Sequence, residues 1–184
     1  MKKLPRIAWA ALAALSFCVA PAGAAGLTPE GAYVQLGIAE HSTASATLGL
    51  VWPWAWRTSL AGAEVSGLTE LYASHWTAHA FGGGRQSYTQ LGLLPVLRLR
   101  FDGGRSNWFV EGGIGVTWMD KVYCTPENCF STSGQFHDML GVGRSFGADR
   151  SRELSLRLVH HSNAGVKRPN PGIEFLQLRY GWKF

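Results

Sequence analysis

Along 46–57 the chain alternates: Leu48, Leu50, Trp52, Trp54 and Trp56 take every second position, with Thr47, Gly49, Val51, Pro53 and Ala55 between them. Strand side chains point to opposite faces with a period of two, so this run predicts a β-strand with one apolar face. The same pattern recurs at 31–40, where Val34, Leu36 and Ile38 share a face. It recurs at 86–101, with Leu91, Leu93, Pro95, Leu97, Leu99 and Phe101 set against Gln90, Gly92, Arg98 and Arg100. At 107–119, Trp108, Val110, Ile114, Val116 and Trp118 oppose Glu111, Gly113, Gly115 and Thr117. At 134–146, Phe136, Leu140, Val142 and Phe146 align, interrupted by Asp138 and Arg144. The last two runs place Leu154, Leu156, Leu158, His160 and Ser162 on one face, then Glu174, Leu176, Leu178, Tyr180, Trp182 and Phe184. Segment 64–79 has mixed faces, and its pattern does not orient it. Glycine, aspartate and serine clusters at 102–106 and 147–151 mark turns between runs.

The residues opposite the apolar faces decide the architecture. They include Gln90, Arg98, Glu111, Gln177 and Arg179. A soluble sandwich would turn the leucines inward and leave these charges on its outer surface, which fails to explain rows of leucine that end in tryptophan. A narrow barrel in lipid explains both, with leucines and an aromatic girdle outside and polar side chains filling the interior. The expectation is therefore an all-β protein, an eight-stranded antiparallel transmembrane β-barrel. An even strand count puts both ends on the periplasmic side, so 102–106 and 147–151 become periplasmic turns. The Cys124–Cys129 loop and the 163–171 loop then face outward, and His160, Ser162 and Glu174 come near the outer leaflet.

Composition adds the compartment. Met1-Lys2-Lys3-Leu4-Pro5-Arg6, an apolar stretch to Ala20 and the small residues Ala22-Gly23-Ala24-Ala25 have the layout of a secretory signal peptide. The expected division is a leader over 1–25, removed on export, and a barrel domain over 26–184. A lipoprotein reading through Cys18 is disfavoured by the bulky Phe17 before it. Removing Lys2, Lys3 and Arg6 takes the formal charge from +5 to +2, so the basic balance is no argument for nucleic acid. Cys124 and Cys129 remain, and in an oxidising compartment so short a loop can close as a disulfide. A zinc site there would need further ligands nearby.

The candidate chemistry sits on the last two strands. Histidine is the usual base for a serine nucleophile, and a carboxylate holds it in the right tautomer. His160 and Ser162, two apart on one strand face, have Cβ atoms about 6–7 Å apart from the strand rise alone. Glu174 shares their outward parity on the next strand. Geometry thus permits a Ser-His-Glu triad on a face that looks at lipid. A His-x-Ser pair in a strand is more often incidental. Three polar groups clustered on a lipid-facing rim, however, are unexplained without a function. His161 points the other way, into the lumen. His75 and His79 share a strand face but lack ligand partners, and Gly82-Gly83-Gly84-Arg85 lacks the setting of a phosphate loop.

The surrounding residues carry a resemblance. His160-His161-Ser162-Asn163-Ala164-Gly165, followed by Asn170 and by Gly172-Ile173-Glu174, closely resembles the outer-membrane lipid A 3-O-deacylases, the PagL family. The match is specific but spans only the last quarter of the chain, and the Cys124–Cys129 loop has no place in the pattern. The resemblance implies an outer-membrane hydrolase that removes the 3-O-linked acyl chain, a 3-hydroxy fatty acid, from lipid A of lipopolysaccharide. It implies Ser162 as nucleophile, His160 as general base and Glu174 as its orienting partner, with no cofactor and no metal. Oxyanion donation would fall to Asn163, Gly165 and Asn170, and Lys167 and Arg168 are either lipid A phosphate contacts or solvated loop charges. The expected partners are lipid A and the outer-membrane lipids; a homodimer stays open. Two other functions compete: a phospholipase-like esterase using the same triad, and a non-catalytic structural or adhesion barrel working through its loops.

Overall fold

The computed structural model describes residues 27–184, so the leader expected over 1–25 lies outside the described residues. Eight strands form a closed antiparallel barrel in simple sequence order, β1 pairing with both β2 and β8. They are β1 (Gly31–Ala39), β2 (Ala44–Leu60), β3 (Ala63–His79), β4 (Arg85–Arg100), β5 (Trp108–Met119), β6 (Gly134–Phe146), β7 (Arg152–Ser162) and β8 (Ile173–Lys183). Closure leaves no strand edge unpaired, which a lipid environment requires because nothing there can satisfy free backbone groups. Connections at one end are short: Ala61 and Gly62, both at positive φ, turn β2 into β3. The connections after β5 and β7 at the opposite, outer end are the long ones.

The alternation read from the sequence is the inside–outside division of the wall. Leu36, Leu48, Leu91, Val116, Leu140, Leu156, Leu158 and Leu178 are exposed on the outer surface, while Gln35, Gln90, Arg98, Glu111, Gln177 and Arg179 are buried in the lumen. An outer wall of leucine and valine is stable facing acyl chains and would be costly facing water.

Strand β3 resisted orientation because its inward face is both aromatic and charged. Glu70, Tyr72, Ser74 and Trp76 point into the lumen, and Leu71 is exposed to lipid. Lumen glycines make room for the rings. A Cβ on Gly49 would lie 2.3 Å from the Tyr33 ring, and one on Gly92 would lie 2.2 Å from Tyr72.

Strand β2 departs from simple alternation at its lower end. Its register with β3 shifts between Pro53 and Arg57. Proline has no N–H to give the ladder, so a bulge forms there. Trp54 consequently leaves the lipid-facing row: its ring covers Gly67, and its Nε1 donates to Thr69 Oγ1 at 2.9 Å. Trp56 stays exposed.

The lumen is layered. Nearer the outer end, Trp76, Tyr88, Tyr123, Phe130, Phe175 and His161 pack ring against ring. Toward the periplasmic end lies an ionic lattice. Arg157 donates to both oxygens of Glu70 at 2.8 and 2.9 Å and to Glu111 at 2.9 Å. Arg98 bridges Glu111 at 2.8 Å and Glu153 at 2.7 Å. These charges are shielded from water but paired and hydrogen-bonded, the condition under which buried charge is tolerated. The lattice ties β3, β4, β5 and β7 across the barrel and fills a space too narrow for a channel.

Candidate active site at the outer rim

The β7–β8 hairpin sets the site by register. His160 stands opposite Glu174, and Leu158 opposite Leu176 one pair further down the wall. Glu174 lies within hydrogen-bonding reach of the imidazole, with His160 Nδ1 and Glu174 Oε1 2.9 Å apart. An ionised carboxylate only accepts, so Nδ1 carries the proton in this pair and the basic lone pair falls on Nε2. His160 is only 16 % exposed at its side chain, whereas Glu174 remains 51 % exposed at the rim.

Ser162 lies two residues along the same strand, opposite Phe136 of β6 and only 8 % exposed. The backbone N–H of Ala164 points at its Oγ, at 3.5 Å. Ala164 adopts a positive φ, followed by Gly165, so the chain turns over Ser162 as it leaves β7. On the far side of the imidazole sits Gly172. A Cβ there would come 2.6 Å from His160 Cε1, and the residue has φ of +71°, so both space and backbone demand glycine. His160 is therefore held between a carboxylate at one nitrogen and a peptide against its ring.

The other expected site residues shape the loop. Asn163 N–H donates to Asn170 Oδ1 at 2.9 Å, and Asn163 Oδ1 accepts from Gly165 N–H at 2.9 Å. The Asn163 amide nitrogen reaches Ser131 Oγ at 2.9 Å and the Lys167 carbonyl at 2.8 Å. Both backbone N–H groups are thus engaged within the loop. Asn170 is tied to the loop through its Oδ1, and Ala164 N–H is the backbone donor that points at Ser162 Oγ. Cys124 and Cys129 are joined by a disulfide in the neighbouring outer loop. Lys167 and Arg168 are exposed at the loop tip. His161 is buried in the lumen against Trp76, Phe175 and His137.

Three groups that the structure brings beside these residues are not picked out by the pattern alone. Asp138 stands opposite His160 on the β6 side, so the imidazole is flanked by carboxylates on both neighbouring strands. Its signal was the break it makes in the apolar face of β6. Ala164 contributes through its backbone, which no side-chain pattern reveals. Asn128 donates from the outer loop to the Gly172 carbonyl at 2.7 Å, a contact between segments far apart in sequence.

Comparison with known proteins gives the family. A model of the family described as Lipid A 3-O-deacylase (PagL) matches residues 43–183. Lipid A deacylase PagL of Pseudomonas aeruginosa is 34 % identical over 184 residues, covering 98 % of each chain. Lipid A deacylase PagL of Bordetella bronchiseptica is 31 % identical over 159 residues, covering 85 % of each. The crystal structure of the outer membrane enzyme PagL superposes with a TM-score of 0.71 at 26 % identity, covering 84 % of this chain and 99 % of that one. This outer-membrane β-barrel belongs to the PagL family of lipid A 3-O-deacylases.

Proposed function

We propose that this protein hydrolyses the ester holding the 3-O-linked acyl chain of lipid A, using Ser162, His160 and Glu174 on the lipid-facing wall. The observation that carries the reading is the His160–Glu174 contact of 2.9 Å at the outer rim, with Ser162 two residues further along the same face. A base oriented by a carboxylate, beside a shielded hydroxyl, is the arrangement that makes serine a nucleophile. Family membership supports lipid A as the substrate, and a site open to the membrane rather than to the lumen suits an acyl donor that never leaves the leaflet.

The chemistry runs in two halves. His160 Nε2 takes the Ser162 hydroxyl proton as Oγ bonds to the ester carbonyl carbon. The carbonyl oxygen becomes an oxyanion, for which Ala164 N–H and the Asn170 amide are the donors at hand. Collapse breaks the bond to the sugar oxygen, which receives the proton from His160. Water, deprotonated by the same nitrogen, then attacks the acyl-serine; the bond to Oγ breaks, Ser162 recovers the proton from His160, and a 3-hydroxy fatty acid is released. Glu174 holds the imidazole tautomer throughout and stabilises the imidazolium that forms in each half.

The reaction draws its nucleophile and base from the chain itself, so turnover on purified lipid A is expected to be unchanged in excess EDTA. Loss of activity in EDTA, regained on adding calcium, would favour a phospholipase-like mechanism instead.

The wall below the triad is the natural seat for the scissile chain. Leu158 pairs with Leu176 and Leu156 with Leu178, all exposed to lipid directly beneath His160. A buried methylene contributes about 0.8 kcal/mol against water but far less when lipid is the alternative, so selectivity for chain length has to come from shape. Leu156→Trp or Leu176→Trp should therefore change the lengths of fatty acid released while leaving the barrel as stable as before. An unchanged profile of released acids across both variants would place the acyl chain elsewhere.

A further inference from the structure

We propose that Asn128, presented by the Cys124–Cys129 disulfide loop, is a positioning residue for His160, acting through the Gly172 peptide; the inference rests on the hydrolase reading above. Asn128 lies inside the ring that the disulfide closes. Its backbone is pinned there by Thr125, whose N–H donates to the Asn128 carbonyl at 2.8 Å and whose Oγ1 accepts from Asn128 N–H at 3.0 Å. The base of the ring is fixed to the barrel. Tyr88 Oη donates to the Cys124 carbonyl at 2.7 Å and accepts from Cys124 N–H at 3.1 Å, and Gln86 Nε2 donates to the same carbonyl at 2.6 Å.

From this platform Asn128 Nδ2 reaches the Gly172 carbonyl at 2.7 Å. Gly172 is the residue whose missing Cβ lets the backbone lie against the His160 ring, and it stands two positions before Glu174. Fixing its peptide therefore fixes both the surface behind the imidazole and the entry of the strand that carries the carboxylate. The other bonds between these two loops among the described residues, through Ser131 and Thr132, serve Lys167 and Asn163 at the opposite half of the 163–172 loop. Asn128 is the one that touches the segment backing His160.

The contact with Gly172 is the side chain's one hydrogen bond among the described residues, and Asn128 Oδ1 meets no protein donor. The disulfide holds the donor in place by limiting how far residues 125–128 can move, so opening it should loosen the contact without touching any residue of the triad.

The test uses the refolded full barrel in detergent micelles with purified lipid A. Asn128→Asp keeps the shape and removes the donor. It should lower kcat about tenfold, the scale of one neutral hydrogen bond, with KM held within about twofold. Reducing the wild-type disulfide with a phosphine should give a similar fall, and reduction should add nothing to Asn128→Asp, because both act on one contact. The His160 Cε1–H resonance, which lies under Gly172, should shift on reduction and in the variant. The inference is overturned by wild-type kcat in Asn128→Asp, by losses that multiply when the two perturbations are combined, or by an unmoved His160 resonance. If the oxidised wild-type protein fails to cleave lipid A, the hydrolase reading falls, while the resonance still decides whether Asn128 positions His160.

Discussion

Ser162→Ala and His160→Ala should each lower lipid A hydrolysis by at least about a thousandfold, since nucleophile and base act as one unit and losing either removes most of what the unit provides. Glu174→Ala should lose less, because an orienting carboxylate acts through the imidazole and Asp138 still flanks that ring from β6. The barrel should survive all three changes. His160 and Glu174 project from its outer wall, and the serine hydroxyl has no role in the lumen lattice, so truncation removes little packing. Rates on purified lipid A, read beside heat-modifiable migration on gels as the check of folding, measure both halves of the expectation. Near wild-type turnover in a folded Ser162→Ala protein would remove the assignment of the nucleophile.

Arg157→Met should have the opposite signature, with large loss of stability and little loss of turnover per folded molecule. Arg157 is the hub of the lumen lattice, bonded to Glu70 and Glu111 with all three side chains shielded from water. Among the described residues, removing it leaves Glu70 ion-paired with Arg179, at 3.3 Å, and Glu111 ion-paired with Arg98. Taking one partner from a buried ion pair typically costs about 3–5 kcal/mol, because the remaining charge is stranded. The midpoint of urea unfolding in detergent should drop accordingly. Adding Glu70→Leu should recover part of the loss, since an apolar pair avoids the stranded carboxylate. A single variant as stable as the wild type would show that lumen water satisfies these carboxylates as well as arginine does.

The two experiments separate the faces of one wall. The proposed chemistry lies outside, on the lipid-facing face, and the lattice that holds the barrel lies inside, where polar groups pair with one another. The division arises from the period of two: within β7, Arg157 points into the lumen while Leu156 and Leu158 face lipid, and His160 and Ser162 continue the outer row to the rim.

That period is present in the sequence for most of the strands. It determined the strands, the sense in which most of them face, the closed barrel rather than a sandwich, and the shared outward parity of His160, Ser162 and Glu174. It could do so because lipid outside and a narrow polar lumen inside impose opposite demands on alternate residues, and those demands are written locally. Where the local demand is mixed, the pattern fails. Strand β3 carries Trp76 and Tyr72 inward beside Glu70, so hydrophobicity no longer reports direction, and at Pro53 a bulge turns Trp54 out of a row it seemed to continue. What only the tertiary structure decided is which groups meet. The register of β6, β7 and β8 places Asp138, His160 and Glu174 side by side. The turn after β7 aims Ala164 N–H at Ser162, and a loop some forty residues away sends Asn128 to Gly172. Those contacts depend on backbone paths and on pairing between distant segments, and a one-dimensional pattern holds neither.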